Sequence, residues 1–137
     1  MRIDRVEDLR AYRRAFESAM QIFEWSEQWP KEERYALTDQ VRRSSRAVCA
    51  NLSESWAKRR YPKHFVAKLS DAHGEAEETL TWLRFAVRCH YFVGDEVEVF
   101  VEQYREVIGG LVNMMSHPSD WSRPAQGVRE NDVAYAA

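Results

Sequence analysis

One stretch, residues 29–56, constrains the fold more than any other part of the chain. Its apolar residues recur at steps of three and four, the spacing of one face of a helix. Pro30 suits a first helical turn, because its missing N–H costs nothing there. The pattern predicts one long helix over residues 31–56 that packs against other helices. Its stripe consists of Leu37, Val41, Val48 and Leu52, with Ser44 and Ser45 between them.

Three further segments show the same periodicity, so the predicted fold class is all-α. They cover residues 8–27, 62–92 and 95–116 and are separated by short connections. Four helices joined in this way favour an up-down-up-down four-helix bundle. The predicted core face of the first helix is Leu9, Tyr12, Phe16, Ala19, Met20 and Phe23.

The ends and the middle of the chain differ in composition. At 137 residues the chain has the size of one domain, and we assign residues 1–116 to the bundle. Residues 117–137 are polar and aperiodic, which predicts a flexible C-terminal tail in which Trp121 is a candidate to dock on the bundle.

In the third helix, small side chains around Gly74 predict close approach of a neighbouring helix.

The long stretch and the third helix also carry a motif. A Pro-x-x-Glu turn precedes a Leu, then a Gln with an aliphatic and two basic residues, and finally an Asn-led ending. These positions are Pro30, Glu33, Leu37, Gln40-Val41-Arg42-Arg43 and Asn51-Leu52-Ser53-Glu54-Ser55. The second element is Ala72-His73-Gly74-Glu75-Ala76-Glu77-Glu78.

These motifs resemble the bacterial four-helix-bundle proteins encoded by intervening sequences in large-subunit ribosomal RNA genes, over about residues 8–115. The accessory variability determinant of diversity-generating retroelements is a relative of that family. Ser55 stands where the family has Gly, and Glu75 stands where it has Ser. The resemblance implies a four-helix bundle, a homopentamer and no enzymatic activity. Through the retroelement relative it also implies an association with nucleic acid.

The residues themselves show no catalytic pattern. A di-iron centre in a bundle needs Glu-x-x-His pairs, and none of the four histidines follows an acid at that spacing. His73 and Glu77 lie one helical turn apart, which indicates a surface hydrogen bond more readily than a metal site. No HExxH, phosphate loop or GxSxG elbow is present. We therefore expect a protein that is not an enzyme and has no catalytic residue, metal or cofactor.

Positive charge is concentrated in one part of this mildly acidic chain. Residues 42–68 carry a net charge of +7 and the rest of the chain −9. Such a segment can neutralise phosphates, and three neighbouring aromatic rings, Trp56, Tyr61 and His64, could stack on unpaired bases. The alternative is a solvated basic face that pairs with acidic neighbours. The candidate nucleic-acid-binding residues are Arg42, Arg43, Arg46, Lys58, Arg59, Arg60, Lys63 and Lys68.

A second, polar row runs along the same helix. Gln40, Ser44, Asn51 and Glu54 recur at steps of four, seven and three. The row predicts hydrogen bonds to the third helix or to another subunit, and the alternative is a polar groove for a ligand.

Several apolar side chains lie outside the four stripes and predict self-association into a ring. They are Ile22, Trp25, Trp56, Trp82, Phe85, Phe92 and Val99. We therefore expect a homo-oligomer, a pentamer if the resemblance holds, that binds RNA or single-stranded DNA. The alternative function is a protein-binding adaptor without a nucleic-acid role.

The remaining expectations concern the cellular setting. The N-terminus has no apolar run behind its charges, and no segment approaches the length of a membrane span. Cys49 and Cys89 lie 40 residues apart in predicted helices and are expected to be buried, reduced thiols. We expect a cytoplasmic protein with no membrane partner.

Overall fold

A computed structural model describes residues 2–121 and 128–129. Four long helices pack into one bundle: α1 is Arg10–Ser26, α2 is Leu37–Ala57, α3 is Pro62–Arg88 and α4 is Gly94–Ser116. Each helix contacts the next one along the chain, and α4 closes the bundle by packing on α1. The predicted all-α, up-down-up-down architecture is confirmed.

Five short elements lie at the ends of the bundle in the described part of the chain. Two 3-10 helices, Val6–Asp8 and Lys31–Glu33, precede α1 and α2. A short helix α5, Pro118–Trp121, follows α4. Strand β1, Arg2–Ile3, pairs antiparallel with strand β2, Val128–Arg129. Both ends of the described chain therefore lie on the same part of the bundle.

The predicted apolar stripe of α2 forms the centre of the core. Val41, Val48 and Leu52 are fully buried, and Ser44 and Ser45 between them are also inaccessible to solvent. The facing side of α3 presents a matching row of buried side chains. That row includes Phe65, Leu69, Ala72, Ala76 and Leu80.

The prediction that the second helix begins at residue 31 is wrong. The backbone of Ala36 leaves the helical region, with φ −123° and ψ −106°, and separates the 3-10 turn from α2. Trp29 packs its ring 5.9 Å from that of Tyr91, and the Tyr91 hydroxyl donates to Glu33 over 2.9 Å. These contacts hold residues 29–33 across the end of the bundle, so that they do not continue the axis of α2.

The third helix is also shorter than the predicted 62–92. It ends at Arg88 because His90 adopts a left-handed conformation, with φ 66°. The Tyr91 N–H then donates back to the Ala86 carbonyl over 2.8 Å, which closes the helix end in the manner usual for glycine at this position. The turn brings Phe92 into the aromatic cluster around Trp25.

The predicted core face of α1 is wrong at two positions. Phe16 and Met20 are 49% and 45% exposed, whereas Ala15 and Ala19 face the interior. Small side chains on the inner face let α1 fit between α2 and α4. Ile22, predicted to lie outside the stripe, is fully buried.

Gly74 does not mediate a close helix contact, contrary to the prediction. Its neighbours Ala72 and Ala76 are buried, but Gly74 lies on the exposed side of α3. A Cβ atom added there would meet no heavy atom within 4 Å. Within one chain, no packing contact therefore requires glycine at this position.

We accordingly expect Gly74→Ala to raise the free energy of unfolding by about 0.5–1 kcal/mol, because alanine restricts the unfolded chain and favours the helix. Urea denaturation followed by circular dichroism measures the change. A lower stability for the variant would show that this surface of α3 contacts another chain closely.

The first residues of the predicted tail form a short helix. Residues 117–137 were expected to form a flexible tail, yet Pro118–Trp121 are helical and the Trp121 ring is fully buried. It lies 6.2 Å from the ring of Trp56, which confirms that Trp121 docks on the bundle. The remainder of the predicted tail, apart from β2, lies outside the described residues.

The two cysteines differ in exposure. Cys49 is buried, as predicted, and burial raises the pKa of its thiol to about 12. Cys89 is exposed, contrary to the prediction, because α3 ends beside it. None of the helices in the described part of the chain combines the length and the hydropathy needed to cross a bilayer.

Candidate nucleic-acid interface

The eight predicted binding residues do not form one continuous surface. Arg42, Arg43 and Arg46 lie in the first half of α2, and the other five surround the turn between α2 and α3. At 1.5 Å per residue, Arg42 and Lys58 are about 24 Å apart along the helix axis. The sequence segment with net charge +7 therefore divides into two separate groups.

The first group contains two arginines that contact α1. The Arg42 Nε donates to Ser26 Oγ over 2.8 Å, and its guanidinium lies 4.7 Å from the centre of the Phe23 ring. Arg46 lies 5.7 Å from the same ring. Arg42 thus links α2 to the C-terminal end of α1, which is a structural role.

Two other members of the set are paired with acids from α2 and α3. Arg43 forms ion pairs with Glu75 and Glu78 of α3. Lys68 lies 2.9 Å from Glu54, and this hydrogen bond raises the pKa of the lysine and lowers that of the glutamate. Much of the positive charge at Arg43 and Lys68 is therefore neutralised within the chain.

Two of the four residues in the polar row on α2 bond to α3, so its structural interpretation is confirmed in part. The Thr79 hydroxyl donates to Ser44 Oγ over 2.8 Å in the buried seam between the helices. Glu54 pairs with Lys68, also across the seam. Asn51 is bonded to its own helix, since its amide donates to the Ala47 carbonyl. Gln40 likewise accepts from Arg43 of the same helix, so Ser44 and Glu54 are the members of the row that join the two helices.

The second group lies at the α2–α3 turn and is more accessible. Lys58, Arg60 and Lys63 are exposed, and none of them forms an ion pair with an acid in the part of the chain that the structure describes. Tyr61 is 56% exposed, and its ring lies 6.0 Å from that of His64. Cations and exposed rings therefore alternate along this turn.

Arg59 occupies a fixed position beside this group. Its guanidinium lies 3.8 Å from the centre of the Trp56 ring, and its Nε donates to the Trp56 carbonyl over 3.1 Å. Burial lowers the pKa of Arg59, although an arginine remains charged at neutral pH. The prediction that Trp56 stacks on a base is wrong, because Arg59 and Trp121 cover this buried ring.

A cleft of about 650 Å³ lies between this turn and the N-terminal segment. No sequence motif indicates the residues that the N-terminal segment contributes, because they are distant in the chain from the turn and follow no pattern. The cleft is lined by Asp4, Arg5, Val6, Glu7, Trp56, Ala57, Arg59, Arg60 and Tyr61.

Local hydrogen bonds hold the N-terminal wall of the cleft in place. The Asp8 carboxylate accepts the backbone N–H groups of Asp4 and Arg5, each over 3.1 Å. The Arg13 guanidinium donates to the Asp8 carbonyl over 2.7 Å, and Ile3 is fully buried. The two backbone donors lower the pKa of the Asp8 carboxyl from its ordinary value.

The described residues contain no group of histidine, cysteine, aspartate and glutamate side chains that could hold a metal ion. His73 and Glu77 do not form such a site with a third ligand. The chemistry available at the α2–α3 turn is ion pairing and stacking.

The fold and this turn define the class of protein: a four-helix bundle with a basic connection between its second and third helices. The chain belongs to the 23S rRNA-intervening sequence protein family, whose family model matches residues 7–113. The comparison with curated proteins finds no match.

A solved crystal structure confirms the fold. It belongs to a protein of unknown function from the S23 ribosomal protein family of Bacteroides thetaiotaomicron, and the two align with a TM-score of 0.69 at 22% identity. The match covers 77% of this chain and 95% of the other.

Asp8 provides a test of the N-terminal wall. Because its pKa is lower in the folded state, its carboxylate adds stability that is present above its unfolded pKa and is lost as pH falls through the folded pKa. We expect the unfolding free energy to decline below about pH 4 and to decline less in Asp8→Asn. Glu98→Gln, an exposed position on α4, is the control. Equal acid dependence in both variants would contradict the role of Asp8.

Proposed function

We propose that this protein is a self-associating, non-enzymatic bundle that binds RNA or single-stranded DNA at the α2–α3 turn. One observation carries the proposal: Lys58, Arg60 and Lys63 are exposed cations that form no ion pair with an acid among the described residues. Lys58 is close enough to Glu54 to help lower the pKa of that carboxyl, so Arg60 and Lys63 are the more available cations. Such cations release counterions from a phosphate backbone without reading its sequence.

The exposed rings favour single strands over duplex. Tyr61 lies between Arg60 and Lys63 in the chain, His64 follows Lys63, and the two rings lie 6.0 Å apart. Bases that are not paired in a duplex expose their faces, and stacking on an aromatic side chain contributes about 1–3 kcal/mol per base. Duplex bases offer no comparable surface to these rings.

The eight residues of the original set contribute unequally in this proposal. The primary contacts are Lys58, Arg59, Arg60 and Lys63. Arg43 and Lys68 must exchange an acidic partner for a phosphate, so their gain is small. Arg42 and Arg46 would contact only a nucleic-acid strand that is long enough to extend along α2.

Self-association is supported by two different apolar surfaces. On α1, Tyr12 and Phe16 border an apolar hollow of about 480 Å³, and Met20 lies one turn further on. On α3, Phe85 is 54% exposed and lies 6.0 Å from Trp82. Two unlike patches suit a heterologous contact, which closes into a ring when the rotation permits.

The proposed oligomer is a homopentamer, a number that comes from the family resemblance and not from these surfaces. A ring would repeat the α2–α3 turn around an axis and concentrate its positive potential. This explains how a chain of net charge −2 could hold a polyanion.

Salt titration tests nucleic-acid binding. We expect the logarithm of the affinity for single-stranded RNA to fall with the logarithm of salt concentration, by about 0.7 per phosphate contact. The double variant Arg60→Ala, Lys63→Ala should flatten this slope by one unit or more, whereas Arg84→Ala, Arg88→Ala removes two exposed cations at the other end of α3 and should not. Fluorescence anisotropy measures both.

Absence of binding at about 50 mM salt, where electrostatic association is strong, would reject the nucleic-acid proposal. A protein-binding adaptor would then be the preferred function. A specific observation favours it as the second candidate: the apolar hollow beside Phe16 is a surface that a partner helix could cover.

Light scattering coupled to size exclusion tests self-association. We expect a mass several times the 16.2 kDa of one chain, and a shift towards one chain for Phe16→Ser, Met20→Ser, because both side chains are exposed within the monomer. Tyr35→Ser, which changes another exposed ring, should leave the mass unchanged. A natural protein that elutes at one chain mass at micromolar concentration would contradict the ring.

A further inference from the structure

The cleft beside the α2–α3 turn has two chemically different walls. The turn contributes Arg59, Arg60 and Tyr61, and the N-terminal segment contributes carboxylates and Arg5. A polyanion alone would favour a uniformly basic cleft. The carboxylates indicate a ligand that also presents hydrogen-bond donors.

The cations of the cleft are suited to one phosphate group. Arg59 is held by Trp56 through the hydrogen bond of its Nε and through its contact with the ring. Its terminal nitrogens are therefore oriented, and the Nε hydrogen bond does not use them. Arg60 is exposed beside it. Guanidinium groups bind phosphate oxygens in a two-pronged arrangement, and a preoriented one loses little entropy on binding.

Of the two carboxylates, Glu7 is the one available to a ligand. Asp4 is engaged by the Arg2 Nε at 3.1 Å and also favours the charged form of Arg59. Among the described residues, the Glu7 carboxylate forms one ion pair, with Arg5 at 3.8 Å and with both side chains more than half exposed. A contact of this kind is weak and easily exchanged.

We infer that the cleft binds one ribonucleotide unit, with its phosphate at Arg59 and Arg60, its base against Tyr61 and its ribose hydroxyls at Glu7. The inference rests on the proposed nucleic-acid function and makes it more specific: RNA is preferred over DNA at this site. A 2′-hydroxyl is the donor that distinguishes the two, and an ionised carboxylate is a strong acceptor for it.

The dimensions of the cleft agree with a ligand of this size. Its volume of about 650 Å³ lies within the range of about 300–1,000 Å³ typical of small-molecule sites. The hydrogen bonds that the backbone N–H groups of Asp4 and Arg5 donate to the Asp8 carboxylate fix one wall before the ligand arrives. The end of α2 fixes the other.

Calorimetric titration of the full chain with adenosine 5′-monophosphate and its 2′-deoxy analogue tests the inference. A hydrogen bond to a charged group contributes about 1.5–3 kcal/mol, so we expect the ribonucleotide to bind about tenfold more tightly or better. In Glu7→Gln the two nucleotides should bind with nearly equal affinity. Arg60→Gln should weaken both by about tenfold.

Two exposed positions supply matched controls. Glu98→Gln and Arg84→Gln make the same chemical changes outside the cleft and should leave both affinities unchanged. Equal binding of the two nucleotides to the natural protein, or no binding at millimolar concentration, would overturn the inference.

The same variants separate this inference from the wider proposal. If a single-stranded RNA oligonucleotide binds with the expected salt slope but Glu7→Gln leaves its preference over the DNA equivalent unaltered, the ribonucleotide site is wrong and the basic turn stands. If the mononucleotide binds as described and no oligonucleotide does, the cleft stands and the nucleic-acid function is wrong.

Discussion

The packing of α2 against α3 is the contact on which the rest of the structure depends. Val41, Val48 and Leu52 lose all solvent contact there, and the Thr79 to Ser44 hydrogen bond satisfies two hydroxyls in the same seam. A buried hydroxyl without a partner is costly, so this bond opposes sliding of one helix along the other. The seam also fixes where α2 ends and the basic turn begins.

The same seam decides the electrostatics of the candidate interface. Acids on α2 and α3 neutralise Arg43 and Lys68 where the helices run side by side. Beyond the end of α2, no acid among the described residues pairs with Arg60 or Lys63. The N-terminal segment adds Glu7 to the cleft that Arg60 also lines, so this end of the bundle presents a carboxylate as well as cations.

Sequence periodicity predicted the helices well where both sides of a helix differ strongly in polarity. The stripe on α2 is an example, because its alternative faces carry arginines. On α1 the pattern was ambiguous: Phe16 and Ala15 lie on adjacent faces, and hydrophobicity favoured the larger side chain. The structure buries the alanine, because α1 packs closely between α2 and α4 and a small side chain fits there better than a large one.

The sequence by itself determined the fold class, the number of long helices, the family and the presence of cations at the α2–α3 turn, because these follow from local spacing and residue type. Tertiary structure alone decided which cations pair with acids, since an acid 32 residues away in the chain can be adjacent in space, as Glu75 is to Arg43. It also decided that Trp56 is covered and that Glu7 borders the cleft. Contacts between distant segments depend on how helices pack, and no local pattern records them.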